Sequence, residues 1–479
     1  MGRSLRGTLY ETIAHATVNK STREMNPDYR VAYDPDPTDL RNAIGDQLPE
    51  DGETSEAIME RLTRAAAPGL VDTTGPRYFG FVVGGALPAA VAADQWTTAH
   101  DQVAGFYVLS PASAVIEDIT SDWALDLLDL PRAAAVGFVT GGQMANVMGL
   151  AAGRHRVFAQ AGWDVATRGL AGAPKLRILI GAEAHGTIDR ALALLGLGSA
   201  TSIRVPADAQ GRMRADELER LLCETSMPTL VCAQAGNVNT GAFDPLRAIG
   251  ELCQQHGAWL HIDGAFGLWA RACKEKRALA DGAELADSLS TDAHKWLNAP
   301  YDCGLIIVKE EAHLMAATSY EGAYLVKSAD ARRREPCRYT PESSRRARAT
   351  PVYAALRQLG RSGLDDLVAR CCSHARLFAK LLQESGAAIA NEVVLNQVLV
   401  AWAPPTGIES EAFVDAVITR IQRDGTCWLG ATTWHGQRLM RISVSNWQTS
   451  EGDVRDSVAA IVRCVEAERA TPTEAGWSK

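Results

Sequence analysis

The stretch Ser290-Thr-Asp-Ala-His-Lys-Trp-Leu-Asn298 decides how this chain is read. It sets His294 directly before Lys295, with Trp296 and Leu297 behind. Thirty-two positions upstream of the lysine stands Asp263, in His261-Ile-Asp-Gly-Ala265. A lysine amine in an apolar setting attacks an aldehyde and forms a Schiff base with it. A carboxylate at a strand end is most simply a turn or helix-cap residue. Beside a cationic heterocycle it has a second use, because the opposite charge keeps it ionised. The plainer reading of Lys295, a solvated lysine after a strand, is disfavoured by its apolar flanks.

The sequence around both residues carries a fold. From about residue 70 to 325, short apolar runs at 176–180, 229–233, 259–263 and 304–308 alternate with helix-like segments at 145–160, 188–195 and 245–256. That alternation predicts an α/β fold, a parallel sheet covered on both faces. Ligands then bind beyond the carboxyl ends of the strands. Asp263 ends one run and Lys295 follows another, 288–291, so both are expected at that edge. Residues 1–69 are polar, interrupted by Pro27, Pro35, Pro37 and Pro49, and read as an arm with one amphipathic helix at 58–67. Residues 70–325 form the expected large domain. Residues 326–349, with the charged run Lys327 to Glu335, are expected to be a mobile loop and linker. Residues 350–479 read as a smaller αβ domain, with a helix at 352–359 and strands at 393–402, 425–432 and 439–444.

Bulk composition bounds the function. Hydrophobic content of 47% and charged content of 22% are those of an ordinary globular protein. A net charge of −9 argues against a nucleic-acid binder, though not against a local basic pocket. The ten cysteines all lie beyond residue 220 and form no Cys-x-x-Cys pair, which points to a reducing cytoplasm. Met1 to Tyr10 lacks an apolar signal core, and no run approaches the ~20 apolar residues of a membrane span. No zinc-type spacing of His and Cys, Walker loop or Gly-x-Ser-x-Gly elbow is present.

Four further positions bear on chemistry. Thr140-Gly-Gly-Gln-Met-Ala-Asn146 follows an apolar run and opens a helix. Glycines let a backbone approach a phosphate, and free N–H groups at a helix start attract anions. His185, after the 176–180 run, presents a flat imidazole that suits stacking on an aromatic ring. Ala265 is small enough to pack beneath one. Arg441, in Leu439-Met-Arg-Ile-Ser-Val444, either holds a carboxylate through two parallel hydrogen bonds or serves a structural ion pair. A phosphate cradle, a Schiff-base lysine and a carboxylate for a ring nitrogen are together what pyridoxal 5'-phosphate (PLP) asks of a protein. PLP is therefore the expected cofactor.

Thr140-Gly-Gly-Gln-Met-Ala-Asn, Ala184-His185, Gly241-Ala-Phe-Asp-Pro245, His261-Ile-Asp-Gly-Ala265 and Asp292-Ala-His-Lys-Trp296 occur in this order. With them the chain resembles the group II PLP-dependent amino-acid decarboxylases, which include glutamate, aromatic amino-acid and diaminobutyrate decarboxylases. The likeness runs from about Arg77 to Trp447. It implies the fold-type I aminotransferase-like architecture and a homodimer with active sites at its interface. It also implies roles. Lys295 bears the cofactor, and Asp263 pairs with the pyridine nitrogen. His185 and Ala265 flank the ring, while Gly142, Gln143 and His294 contact the phosphate. Arg441 matches the arginine that holds a substrate carboxylate in some relatives. Phe79 and Phe81, in Arg77-Tyr-Phe-Gly-Phe81, match a pocket-lining segment.

The chain departs from the pattern in three places. Pro336 aligns with a loop tyrosine that protonates the carbanion in relatives, and Tyr339 stands close by as a substitute. Asn237-Val-Asn239 stands where relatives often carry threonines, and Asp292 where some carry asparagine beside the phosphate. The expected reaction is decarboxylation of an L-amino acid to an amine and CO₂. Phe79, Phe81, Trp96, Trp428 and Trp434 suggest an aromatic or bulky side chain. The alternatives are oxidative decarboxylation–deamination to an aldehyde, carbon–carbon cleavage of a β-hydroxy amino acid, and a PLP-binding protein without catalysis.

Overall fold

The computed structural model describes residues 30–32, 35–318 and 333–470. The N-terminal stretch Met1 to Tyr10 and most of the charged run after Lys327 lie outside the described residues. The chain enters through α1 (Pro37–Ile44) and α2 (Ser55–Ala65), then α3 (Pro88–His100) and α4 (Pro111–Leu127). The expected helix at 58–67 begins three residues earlier, because Thr54 caps it by accepting the Ala57 N–H.

A seven-stranded sheet forms the centre. Its order is β1 (Ala135–Val139), β7 (Gly304–Val308), β6 (Ser288–Asp292), β5 (Trp259–Asp263), β4 (Thr229–Gln234), β2 (Arg177–Gly181) and β3 (Ile203–Val205). From β6 to β3 all neighbours run parallel. β7 is antiparallel to both β6 and β1. The apolar pattern placed 304–308 among the parallel strands, and its direction is corrected here. A parallel return needs a crossover of a dozen or more residues, usually a helix. Residues 293–303 instead form the short turn that carries Lys295.

Side chains alternate between the two faces with period two. Val136, Phe138, Leu179, Leu260 and Ile262 face one core cluster, shared with Leu125 of α4. Ala135, Val139, Ile178, Ile180 and Trp259 face the other, covered by α5 (Gly142–Gln160) and α6 (Gly186–Leu194). On the first face pack α7 (Ala215–Cys223) and α8 (Leu246–His256). On the second, α9 (Glu311–Thr318) contributes Leu314.

The long helix α10 (Ala349–Glu384), broken at Gly360, leads to a four-stranded antiparallel sheet. Its order is β10 (Gly430–Trp434), β11 (Gln437–Ser443), β9 (Gln397–Ala401) and β8 (Ala388–Ile389), flanked by α11 (Ser410–Asp424) and α12 (Glu451–Arg469). Among the described residues no helix is long and apolar enough to cross a membrane. All ten cysteines are free thiols.

Residues 333–348 were expected to be mobile, yet the structure packs them. Pro336 is buried in a short 3₁₀ turn, and the Cys337 N–H donates to the Gly105 carbonyl at 2.9 Å. Arg345, fully buried, donates to the Phe138 carbonyl at 3.0 Å and to the buried carboxylate of Glu117. Arg334 also approaches Glu117, at 3.8 Å, but is shared with Asp118, so removing Arg345 leaves a buried carboxylate poorly compensated. Arg345→Met is therefore expected to destabilise the protein by about 3–5 kcal/mol, read from its denaturant midpoint. The double variant with Glu117→Leu should recover most of that loss.

Candidate active site

Five of the parallel-running strands, β1, β2, β4, β5 and β6, end at one edge of the sheet. The five segments that follow them bring the chemistry together: Thr140 to Gln143, Ala182 to His185, Ala235 to Thr240, Gly264 to Ala265, and Ala293 to Lys295.

Asp263, the last residue of β5, is buried. Its Oδ2 accepts from Asn146 Nδ2 at 3.0 Å and from Thr187 Oγ1 at 3.4 Å; its Oδ1 accepts from the Ala265 N–H at 3.1 Å. All three donors are neutral. Among the described residues this carboxylate makes no ion pair. A buried charge without a counter-charge is costly, so the site suits a cationic ring atom.

His185 caps α6, its Nδ1 accepting the Thr187 N–H at 3.3 Å. Burial pushes this imidazole below its ordinary value. The Asp263 charge opposes that shift, and the Lys295 and Arg441 charges add to it. Asp263, Lys295 and Arg441 thus lie within electrostatic reach of His185. Lys295 Nζ stands 5.9 Å from the centre of the Phe266 ring and, among the described residues, makes no hydrogen bond or ion pair. Arg441 reaches only the Val238 carbonyl, at 3.3 Å, and burial lowers its guanidinium pKa. It has no carboxylate among the described residues.

The start of α5 has no side-chain cap from its preceding residue, Gly141. The Gly142 N–H donates to Asp292 Oδ2 at 2.8 Å, and Asp292 Oδ1 lies 2.6 Å from His294 Nδ1. The negative charge of Asp292 therefore sits at a helix start, where the backbone dipole favours it. Gln143 Nε2 donates to the Thr187 carbonyl at 3.1 Å, tying α5 to α6. His294 stacks on Tyr301, with centroids 4.1 Å apart. Ala265 faces Gly142 across the cleft: a Cβ on that glycine would lie 3.8 Å from the alanine's own.

The segment before α3 closes over the lysine. Phe81 and Val82 both adopt left-handed backbone, with φ of 52° and 56°, costing about 1–3 kcal/mol each. The turn aims the Gly84 N–H at the His294 carbonyl, 3.0 Å away. Only glycine fits at 84, because a Cβ would fall 1.9 Å from the Lys295 carbonyl oxygen.

Three expected site residues, Phe79, Phe81 and Tyr339, lie away from the Lys295 cluster of their own chain. Phe79 is 1% exposed and packs edge-to-face on Phe378 at 4.9 Å, inside the main core. Phe81 is 67% exposed and stacks on Trp428 at 5.6 Å, with Tyr78 on Trp428 at 4.9 Å. Of the three tryptophans, only Trp428 joins Phe81. Trp434 is buried beside Leu399 and Leu439, and Trp96 packs against His100 with the rings tilted. Tyr339, 8% exposed, points its hydroxyl at Glu311 and lies beneath Arg334, in the core cluster on the α5 face of the sheet. Burial and the Glu311 contact push this phenol up to about 12. The structure does not bring Tyr339 to the Lys295 cluster of its own chain. Tyr320 and Tyr324 lie outside the described residues.

Sequence reading missed Asn146 and Thr187, both bonded to Asp263. The available signal for Asn146 was a polar side chain in line with Gly142, Gly149 and Gly153 on one face of α5. Asn237 and Asn239, noted as departures, build a loop toward the small sheet. Asn237 Nδ2 donates to the Glu183 carbonyl at 3.1 Å, and Asn239 Oδ1 accepts from Thr432 at 2.7 Å.

With this geometry in hand, comparison with known proteins is decisive. The pyridoxal-dependent decarboxylase conserved domain matches residues 37–401. The chain belongs to the pyridoxal-dependent decarboxylase family. As a member it is a PLP-dependent amino-acid carboxy-lyase, and PLP is its cofactor. The chain is 28% identical to the acidic amino acid decarboxylase GADL1 of Mus musculus, over 93% of this chain and 82% of that protein. It is 27% identical to the aromatic-L-amino-acid decarboxylase of Sus scrofa, over 90% of each. The Oryza sativa TDC structure with PLP and tryptamine shares the fold, with a TM-score of 0.88, 21% identity and coverage of 97% and 98%. The decarboxylase family thus accounts for the fold-type I architecture. The cluster fits the cofactor on its own terms: among the described residues, Lys295 is an amine and Asp263 an anion, each without a counter-charge, while the start of α5 is capped by Asp292.

Proposed function

We propose that this decarboxylase removes the α-carboxylate of an L-amino acid with an aromatic or bulky side chain, releasing the amine and CO₂. The observation that carries this reading is the gathering of Asp263, Lys295 and Arg441 around His185, with Lys295 and Arg441 making no ion pair among the described residues. Two unpaired cations suit a phosphate and a carboxylate. Named relatives act on acidic and on aromatic substrates, so their names do not choose between the two. The aromatic choice is carried over from the sequence, because the face made by Phe81 and Trp428 lies outside the cleft of its own chain.

Bound in this cleft, PLP supplies an electron-poor ring that takes up the electron pair left behind as CO₂ departs. Lys295 would hold the cofactor. Asp263 would face the ring nitrogen and favour its protonated form. His185 and Ala265 would flank the ring. Gly142, Gln143 and His294 would contact the phosphate near the start of α5. Arg441 orients a substrate carboxylate. Val108, Leu109 and Val115 are exposed apolar side chains near one another in sequence, and a homodimer would cover them.

A substrate screen that follows CO₂, amine, aldehyde and peroxide together tests the reading. Amine and CO₂ in equal amounts from an aromatic amino acid are expected. Aldehyde with peroxide, or turnover confined to acidic substrates, would overturn it. Sedimentation should give twice the chain mass. Arg441→Met should raise KM by about 10- to 100-fold, the equivalent of a charged hydrogen bond worth about 1.5–3 kcal/mol. An unchanged KM would remove Arg441 from substrate binding.

A further inference from the structure

A polar seam runs through the α5 face of the central sheet, in a layer otherwise apolar. On β5 the side chains of Trp259, His261 and Asp263 point the same way, two residues apart. Ser288 and Ser290 of β6 stand beside His261 and Asp263 in register. Opposite them, α5 presents Asn146, Gly149 and Gly153. A Cβ at Gly149 would fall 2.5 Å from His261 Nδ1, and one at Gly153 would fall 2.6 Å from Trp259 Cδ1. The glycines give the seam its room. Asn146, His261, Ser288 and Ser290 are all inaccessible to solvent.

The direction of every hydrogen bond in the seam follows from its two ends. Trp259 can only donate, and its Nε1–H reaches Ser288 Oγ at 3.0 Å. Ser288 then donates to His261 Nδ1 at 2.8 Å. His261, neutral because burial lowers its pKa, must carry its proton on Nε2 and donate to Asn146 Oδ1 at 3.0 Å. Ser290 donates to the same oxygen. Asn146 is left with one orientation, its amide N–H facing Asp263 Oδ2 at 3.0 Å. A donor-only indole at one end and an acceptor-only carboxylate at the other lock the chain between them.

We propose that Asn146 and His261 are positioning residues that hold Asp263 oriented and ionised against the ring nitrogen of PLP, and so set the cofactor's electron-withdrawing power. The proposal rests on membership of the PLP family and on the role of Asp263 given above. Neither residue touches the cofactor or the substrate. They act through the carboxylate, as outer-shell partners act on the groups that hold a metal.

The test is the holoenzyme reconstituted with PLP carrying ¹⁵N in its ring. The ring nitrogen of the wild type is expected to stay protonated through neutral pH. In Asn146→Leu and His261→Leu it should lose that proton at lower pH, with kcat reduced about 10- to 100-fold and KM little changed. His261→Gln, which retains an N–H donor toward Asn146, should restore much of both readouts. Ser288→Ala, a smaller change at the far end, should shift the ¹⁵N signal in the same direction by less, and serves if the leucine variants do not fold. Variants with a wild-type ¹⁵N signal and only a lowered Tm would overturn the proposal and leave the seam a packing feature. A wild-type chain that retains no chromophore would instead overturn the cofactor assignment beneath it.

Discussion

Lys295→Ala is expected to abolish decarboxylation, with kcat falling by at least about 10⁴-fold, the scale seen when a covalent catalytic group is removed. The amine at 295 is held in place by the backbone around it. The Gly84 N–H pins the His294 carbonyl, and Trp296 and Leu297 are fully buried. The side chain has little freedom except toward the cleft and the face of Phe266. Borohydride treatment of the wild-type holoenzyme should leave a reduced cofactor adduct on the peptide containing Lys295, and the variant should carry none. Lys295→Arg should behave like the alanine variant, because it restores the charge without a nucleophilic amine. An adduct that persists on another lysine, or activity within tenfold of wild type, would contradict the assignment.

Much of this site was legible before any coordinates, and the reasons differ by residue. Asp263 and Lys295 were found because each follows a short buried strand. β5 and β7 fall on the same residues as the apolar runs 259–263 and 304–308. The order of the sheet and the direction of β7 were not legible, since apolar periodicity carries no sense of strand direction. β3 and β8 are three and two residues long and leave no pattern to read. Phe79 and Phe81 were named because their segment resembles a pocket-lining one. In this chain Phe79 is buried in the core, while Phe81, at positive φ, is exposed. Tyr339 was proposed as a near neighbour of Pro336, the residue that aligns with the loop tyrosine. A contact with Glu311, on a helix twenty-eight residues earlier in the chain, decides where its hydroxyl points. The polar seam was written in the sequence as His261, Ser288 and Ser290 at alternate positions of apolar strands, but only packing against Asn146 connects them.

Asp263→Ala should lower kcat by about 10²- to 10³-fold, the range for deleting one preorganised electrostatic contact, while the borohydride adduct at Lys295 remains. That combination separates the roles of the two residues: one holds the cofactor, the other tunes it. Asp263→Asn is the more informative variant. It is nearly the same size and can still accept the Ala265 N–H through its oxygen. Its amide nitrogen, however, would face Asn146 Nδ2, donor against donor. Asn146 cannot turn over to relieve this, because its oxygen already accepts from His261 and Ser290. A buried donor left unpaired costs about 1–3 kcal/mol. Asp263→Asn should therefore be both slow and less stable than wild type, and gain little in kcat over Asp263→Ala. Stability comes from denaturant midpoints, and kcat from steady-state CO₂ release. If Asp263→Asn were as active and as stable as wild type, the carboxylate would hold no ring proton, and neither the charge pairing nor the locked direction of the seam would survive.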